Sequence, residues 1–208
     1  MKFLAFGDSH GDIDAHEILL AKALDEKLDV IVCIGDFTVF GMHMNSLLKR
    51  LNEITIAAGT KLLMIHGNHE SEAALKKEVA KYPDIIWLHE KTYKLGAFEF
   101  VGFGGGGFHD HEPDFVTFTK TFQPHSKQIL LTHQPPINTT LDEVSTDWHV
   151  GNQDFREFIE NHQPIIALSG HIHETFGFQD LIRDSLLLNP GPIGQIIEIP
   201  ENEETQNE

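Results

Sequence analysis

Five short apolar runs, each ending in a polar cluster, constrain this 208-residue chain more than any other feature. Phe3 to Phe6, Val30 to Ile34, Leu62 to Ile65, Ile129 to Leu131 and Ile165 to Leu168 are near-continuously hydrophobic, without the alternation of a strand that has one wet face. Strands of that kind are covered on both sides, so they belong inside an α/β sandwich. Between them apolar residues recur at spacings of three and four: Ile18, Ala21, Leu24 and Leu28, then Met44, Leu47, Leu48, Leu51 and Ile54, then Leu75 and Val79. The spacing predicts three helices, with Asp14 and Ser71 as N-caps of the first and third. From Ile85 to Phe103 the rhythm changes to three short strands joined at Glu90-Lys91 and Gly96, which predicts hairpins and a mixed sheet. Further short strands are expected at Phe176 to Phe178, Leu186 to Leu188 and Ile196 to Ile199. The fold class is α/β, or α+β, with two packed sheets.

Composition removes several classes of function. The length suits a single domain over 1–199, followed by an acidic tail at 200–208. With 15 Lys and Arg against 32 Asp and Glu, the net charge is −17, and no basic run offers a footprint for duplex nucleic acid. No apolar run approaches the length of a membrane span, and Met1 to Asp8 lacks the apolar stretch of a signal peptide, so a cytoplasmic protein is expected. Cys33 is the single cysteine; it permits neither an internal disulfide nor a cysteine-based metal site and reads as a small core residue. Any metal must therefore use nitrogen and oxygen ligands.

The chemistry lies in the loops after these strands. The runs lead into Gly7-Asp8-Ser9-His10, Gly35-Asp36, His66-Gly67-Asn68-His69-Glu70, Thr132-His133 and Ser169-Gly170-His171-Ile172-His173. In open α/β sheets the loops at the carboxyl ends of the strands form the ligand crevice, so five separate strands aim Asp, Asn and His side chains at one place. Carboxylates, an amide and imidazoles together suit Mn, Fe, Zn, Ni or Co better than Ca, and they are too many for one ion. Two ions about 3.5–4 Å apart, bridged by a carboxylate and a hydroxide, clamp an in-line displacement at phosphorus. Hydrolysis of a phosphoester by that hydroxide is the expected reaction, and no protein nucleophile is needed.

The succession Asp8-x-His10, Gly35-Asp36, Gly67-Asn68-His69-Glu70, His133 and Gly170-His171-x-His173 resembles the calcineurin-like metallophosphoesterase superfamily in order and spacing. Asn189-Pro190-Gly191-Pro192 looks like the closing turn of its small bacterial and archaeal phosphodiesterases. The resemblance implies a four-layer sandwich of two mixed β-sheets flanked by helices, holding two divalent ions, with Mn favoured. It also implies that Asp8, His10 and His173 hold the first ion, Asp36 bridges both, and Asn68, His133 and His171 hold the second. By the same resemblance His69 is the catalytic group near the leaving oxygen, where a protonated imidazole can either donate to the departing alkoxide or stabilise charge on the phosphoryl oxygens. In the phosphoprotein phosphatase branch an Asp and an Arg follow the bridging Asp at three and four residues; here Val39 and Phe40 stand there. With only Arg50, Arg156 and Arg183 in the chain, a phosphomonoester dianion is poorly gripped, which favours a small phosphodiester.

Substrate contacts are expected from Phe37 and Phe40 beside the metals and from Phe108 and His109 after the Gly104 to Gly107 run. That run lacks the Lys-Ser/Thr of a Walker motif. His16, His43, His89, His125 and His162 stand alone and read as surface or helix-end residues, and Thr38 and Ser9 as turn residues. Two alternatives remain at this level: a binding or scaffold protein that keeps the metal site, and a nuclease of the same superfamily.

Overall fold

The computed structural model describes residues 1–125 and 127–200, so the acidic tail lies outside the described residues from Glu201 onward. The first half of the chain runs β1 (Lys2–Phe6), α1 (Ile13–Asp25), β2 (Val30–Cys33), α2 (Met44–Ala58), β3 (Leu62–Met64), α3 (Glu72–Val79) and β4 (Ile85–Trp87). The second half runs β5 (Lys91–Leu95), β6 (Phe98–Phe103), α4 (Pro113–Thr119), β7 (Gln128–Thr132), β8 (Glu143–Ser145), β9 (Trp148–His149) and α5 (Gln153–His162). It closes with β10 (Ile166–Leu168), a 3₁₀ turn at His173–Thr175, β11 (Gln179–Ile182), β12 (Ser185–Leu188) and β13 (Gln195–Glu198).

Two large mixed sheets result. One has the order β13-β1-β2-β3-β4, with β1 to β4 parallel and β13 antiparallel at the edge. The other has the order β11-β12-β10-β7-β6-β5, parallel in its centre and antiparallel at both edges. The small pair β8-β9 lies between β7 and α5 in sequence.

Successive side chains of a strand point to opposite faces, and in β1, β2, β3, β7 and β10 both faces are dry. Leu4 and Phe6 of β1 pack with α1, α2 and α3, while Phe3 and Ala5 pack with residues of the second sheet. Val30 and Val32 likewise separate from Ile31 and Cys33. In the second sheet Ile129 and Leu131 face the space between the sheets, and Leu130 faces the cluster built on Phe115, Phe155 and Phe158 of α4 and α5. Three cores thus bind four layers, helices on sheet on sheet on helices, as the runs of apolar residues require.

Several local expectations are corrected. Asp12, not Asp14, caps α1, because its Oδ1 accepts the N–H groups of Asp14 at 2.8 Å and Ala15 at 3.2 Å. The buried stripe of that helix is Ala15, His16, Leu19 and Ala23, which leaves Ile18 and Leu24 exposed. The hairpin expected at Glu90-Lys91 is absent: β4 pairs with β3 while β5 pairs with β6, so the chain crosses there from one sheet to the other. Phe176 to Phe178 precede the strand rather than form it.

Candidate metal centre

The loops after β1, β2, β3, β7 and β10 meet at one edge of the sandwich. Single ligand atoms of Asp8, His10 and His173 lie within 4.8 Å of one another, as do those of Asp36, His133 and His171, and those of His10, Asp36 and His69. Asp36 connects these groups. Its Oδ2 lies 3.3 Å from His133 Nε2 and 3.9 Å from both His10 Nε2 and His69 Nε2. Its Oδ1 accepts the His69 backbone N–H at 2.8 Å, which fixes the carboxylate plane. Asp8 is held the same way, both oxygens accepting the N–H of His171 at 3.1 Å. Asn68 Oδ1 stands 3.0 Å from His133 Nε2.

Backbone groups set which imidazole nitrogen faces inward. A carbonyl only accepts, so His10 Nδ1–H donates to Thr38 O at 3.0 Å and His133 Nδ1–H to Ile34 O at 2.9 Å. Both rings therefore turn Nε2 to the cluster, the arrangement in which a histidine binds metal with its other N–H anchored. His69 is oriented oppositely: its Nδ1 accepts the Phe40 N–H at 3.3 Å, which leaves the hydrogen on Nε2 and directs it into the site. The Phe40 ring stacks on His69 at 4.2 Å.

The electrostatics match a cation site. Burial alone lowers the pKa of His133, but the adjacent Asp36 and then Asp8 carboxylates outweigh it and push it up to about 9. Burial likewise opposes ionisation of Asp36, yet the hydrogen bond and charge of His133 bring it down to about 2. Burial, and the neighbouring Asp36 charge, hold the Asp8 carboxyl above the usual carboxylate range, a strain that a divalent ion between the two carboxylates would relieve. His171 is pushed down to about 4 by burial and by the charge on His133, so its ring is neutral. Its Nε2 is buried without a hydrogen-bond partner. A neutral imidazole with an orphaned nitrogen, set among carboxylates and two inward-facing Nε2 atoms, fits divalent transition-metal ions.

Glu70 holds the loops together. Its Oε1 accepts Thr38 N–H at 2.9 Å and the Thr38 hydroxyl at 2.6 Å, and its Oε2 accepts Asp36 N–H at 2.9 Å and Gly67 N–H at 3.1 Å. Backbone strain gathers in the same place, with Asp8, His10, Asp36 and His171 at φ of 55, 45, 51 and 68°. Glycine is required where the loops touch: a Cβ on Gly170 would sit 2.1 Å from Asp8 Oδ2, and one on Gly67 2.0 Å from Asp36 Oδ1.

The expected substrate contacts divide. Phe40 is 76% exposed beside His69, and Phe108 is 67% exposed with its ring 4.6 Å from His171. Phe37 is corrected to a core residue at 0% exposure, since the loop after β2 turns it inward into the cluster with Leu47, Leu48 and Met64. His109 turns its Nδ1 to Glu112 at 3.2 Å, while Gln134 and Asn152 hold its carbonyl. His16, expected at the surface, is fully buried against Ser9, and His89 is nearly so, accepting the Gly104 N–H at 2.9 Å. None of the three arginines joins the cluster: Arg50 pairs with Glu17, Arg156 with Glu160, and Arg183 is exposed in the turn between β11 and β12. Glu70 stands in the quoted motif and Thr38 reads as a turn residue, yet neither receives a role from the sequence, since their work is done largely on backbone groups.

Comparison with known proteins agrees with this fold. The UPF0046 protein K07C11.7 of Caenorhabditis elegans is 25% identical over 185 residues, covering 79% of this chain, which itself spans 62% of that relative. The crystal structure of TT1561 of Thermus thermophilus superposes with a TM-score of 0.70 at 18% identity, over 92% of this chain and 89% of that one. A dimetal phosphatase from Danio rerio superposes with a TM-score of 0.58 at 12% identity, over 90% and 86% of the two chains. The family model for calcineurin-like phosphoesterases matches residues 1–175, and the chain belongs to that family.

Proposed function

We propose that this chain is a dinuclear metal-dependent hydrolase of a small phosphodiester, built as one domain over 1–199. Asp8, His10 and His173 are assigned to one ion, Asn68, His133 and His171 to the other, and Asp36 to both. The observation that carries this is the position of Asp36, whose Oδ2 faces His10 and His133 from the two separate groups of ligand atoms. The dimetal phosphatase among the structural neighbours is consistent with two ions. Such a pair, when bound, supplies Lewis acidity: it activates water as nucleophile and neutralises charge on the phosphoryl oxygens. Manganese is the favoured metal.

The chain's own residues orient and stabilise. His69 Nε2–H, fixed by the Phe40 N–H behind it, donates to the phosphoryl or departing oxygen as charge develops there, a role worth roughly 10²–10⁴ in rate for a positioned donor. Glu70 and Thr38 keep Asp36 and His10 in register with His69. The absence of an arginine from the described site, with Val39 and Phe40 after the bridging aspartate, favours a diester carrying one charge over a monoester carrying two. The test is hydrolysis of a chromogenic diester and its matched monoester by metal-stripped, manganese-reloaded protein. A higher kcat/KM for the diester is expected; a monoester preference overturns the substrate assignment.

A further inference from the structure

We propose that the cavity beside His10 binds an apolar, uncharged arm of the phosphodiester, a short alkyl or aryl group on one of its alcohols; this rests on the phosphodiesterase reading above. The cavity measures about 400 Å³ and is walled by Gly11, Ile13, Val39, Met42, His43 and Leu47. That volume lies within the range of small-ligand sites, roughly 300–1,000 Å³. His10 lines it too, and His10 Nε2 faces the ligand atoms of Asp36 and His173, so one side chain is shared by the cavity and the cluster.

Its chemistry selects the occupant. Ile13 and Met42 are 49% and 54% exposed, at the start of α1 and just before α2, and Phe40 stands on the same loop as Met42. Large apolar groups left in water beside a binding centre mark a contact surface. Two of the three polar side chains that line it are already committed, the Ser46 hydroxyl donating to His43 O at 2.8 Å and His10 Nδ1–H being held by Thr38 O, which leaves the His43 imidazole. Neither lysine nor arginine lines the cavity, and the net charge of −17 opposes a second anionic group. A nucleobase placed there would exchange water for walls that leave most of its polar edge unpaired. A hydrocarbon arm loses nothing, and each buried methylene is worth about fourfold in binding.

Two measurements test this separately from hydrolysis itself. The first is kcat/KM of the manganese-loaded protein for methyl, butyl and hexyl 4-nitrophenyl phosphate. It should rise about fourfold per methylene until the cavity is filled, and the hexyl-to-methyl ratio should collapse in Met42→Glu and Ile13→Asp but persist in Leu181→Ser, an exposed position in β11. The second is binding of the uncharged fluorophore N-phenyl-1-naphthylamine to the metal-free protein, expected to weaken at least tenfold in Met42→Glu and to be displaced by hexyl but not methyl phosphodiester. Hydrolysis with a flat series, or a preference for a nucleoside arm over hexyl, overturns the cavity assignment and leaves the hydrolase standing. Probe binding lost in Met42→Glu without turnover of any ester keeps the cavity and overturns the hydrolase.

Discussion

Replacing Glu70 with Gln tests whether this buried carboxylate organises the centre, because the side chain keeps its volume and opens no cavity. Four donors converge on Glu70, two on each oxygen. The least costly amide orientation turns Nε2 towards Thr38, whose hydroxyl can rotate to accept, and leaves Oε1 for Asp36 and Gly67. The Thr38 N–H then loses its partner while buried, which costs about 1–3 kcal/mol. The two surviving bonds change from charge-assisted to neutral, a loss of about 1 kcal/mol each. Urea denaturation of the metal-free protein should therefore show Glu70→Gln destabilised by about 3–5 kcal/mol. Metal affinity should also fall about 10–100-fold, because the Asp36 and Thr38 backbone carries the bridging carboxylate and anchors His10. A variant within about 0.5 kcal/mol of wild type, with unchanged metal affinity, would refute the view that Glu70 holds the loops in register.

Other outcomes rest on single contacts. In Gly170→Ala the new methyl meets Asp8 Oδ2 at 2.1 Å while His171 N–H holds both carboxylate oxygens, so calorimetric titration should show weakened binding of at least one metal ion, and unchanged binding would contradict the close approach. Burial, and then the charge of Arg50, lowers His16 to about 4 against about 6.5 unfolded, so the unfolded chain takes up a proton first as pH falls. Stability from this group is complete above about pH 6.5, declines towards pH 4 and amounts to about 3 kcal/mol. Denaturation across that window should be flatter for His16→Leu than for wild type; parallel curves would exclude the burial effect.

How much of this was legible in the sequence depends on how local the cause is. Two-face burial of β1, β2, β3, β7 and β10 is written in consecutive apolar residues, and glycine and aspartate at their ends mark where the chain leaves the sheet. The three clusters of His and Asp side chains therefore assemble from positions visible in the sequence. The face of α1 differs from the expected one because Ile18 and Leu24 suggest a stripe, whereas Ala15, Leu19 and the histidine at 16 fit the close approach to the sheet. α5 carries little signal because its buried side is only Phe155, Phe158 and Ile159 in an otherwise polar stretch. Phe37 resembles a site residue from its place beside Asp36, yet the left-handed φ of 51° at Asp36 redirects the chain and sends the next side chain into the core. The clamp of Glu70 on three backbone N–H groups has no side-chain partner beyond Thr38, so residue types alone carry no trace of it.

The most direct measurement counts manganese bound per chain after stripping and reloading, in wild type and Asp36→Asn, with chromogenic diester turnover read on the same samples. Two ions per wild-type chain, metal-dependent turnover, and loss of both the second ion and most of the turnover in Asp36→Asn are predicted. Turnover that survives stripping, or an Asp36→Asn protein that binds two ions and hydrolyses the diester as wild type does, would contradict a centre bridged by Asp36.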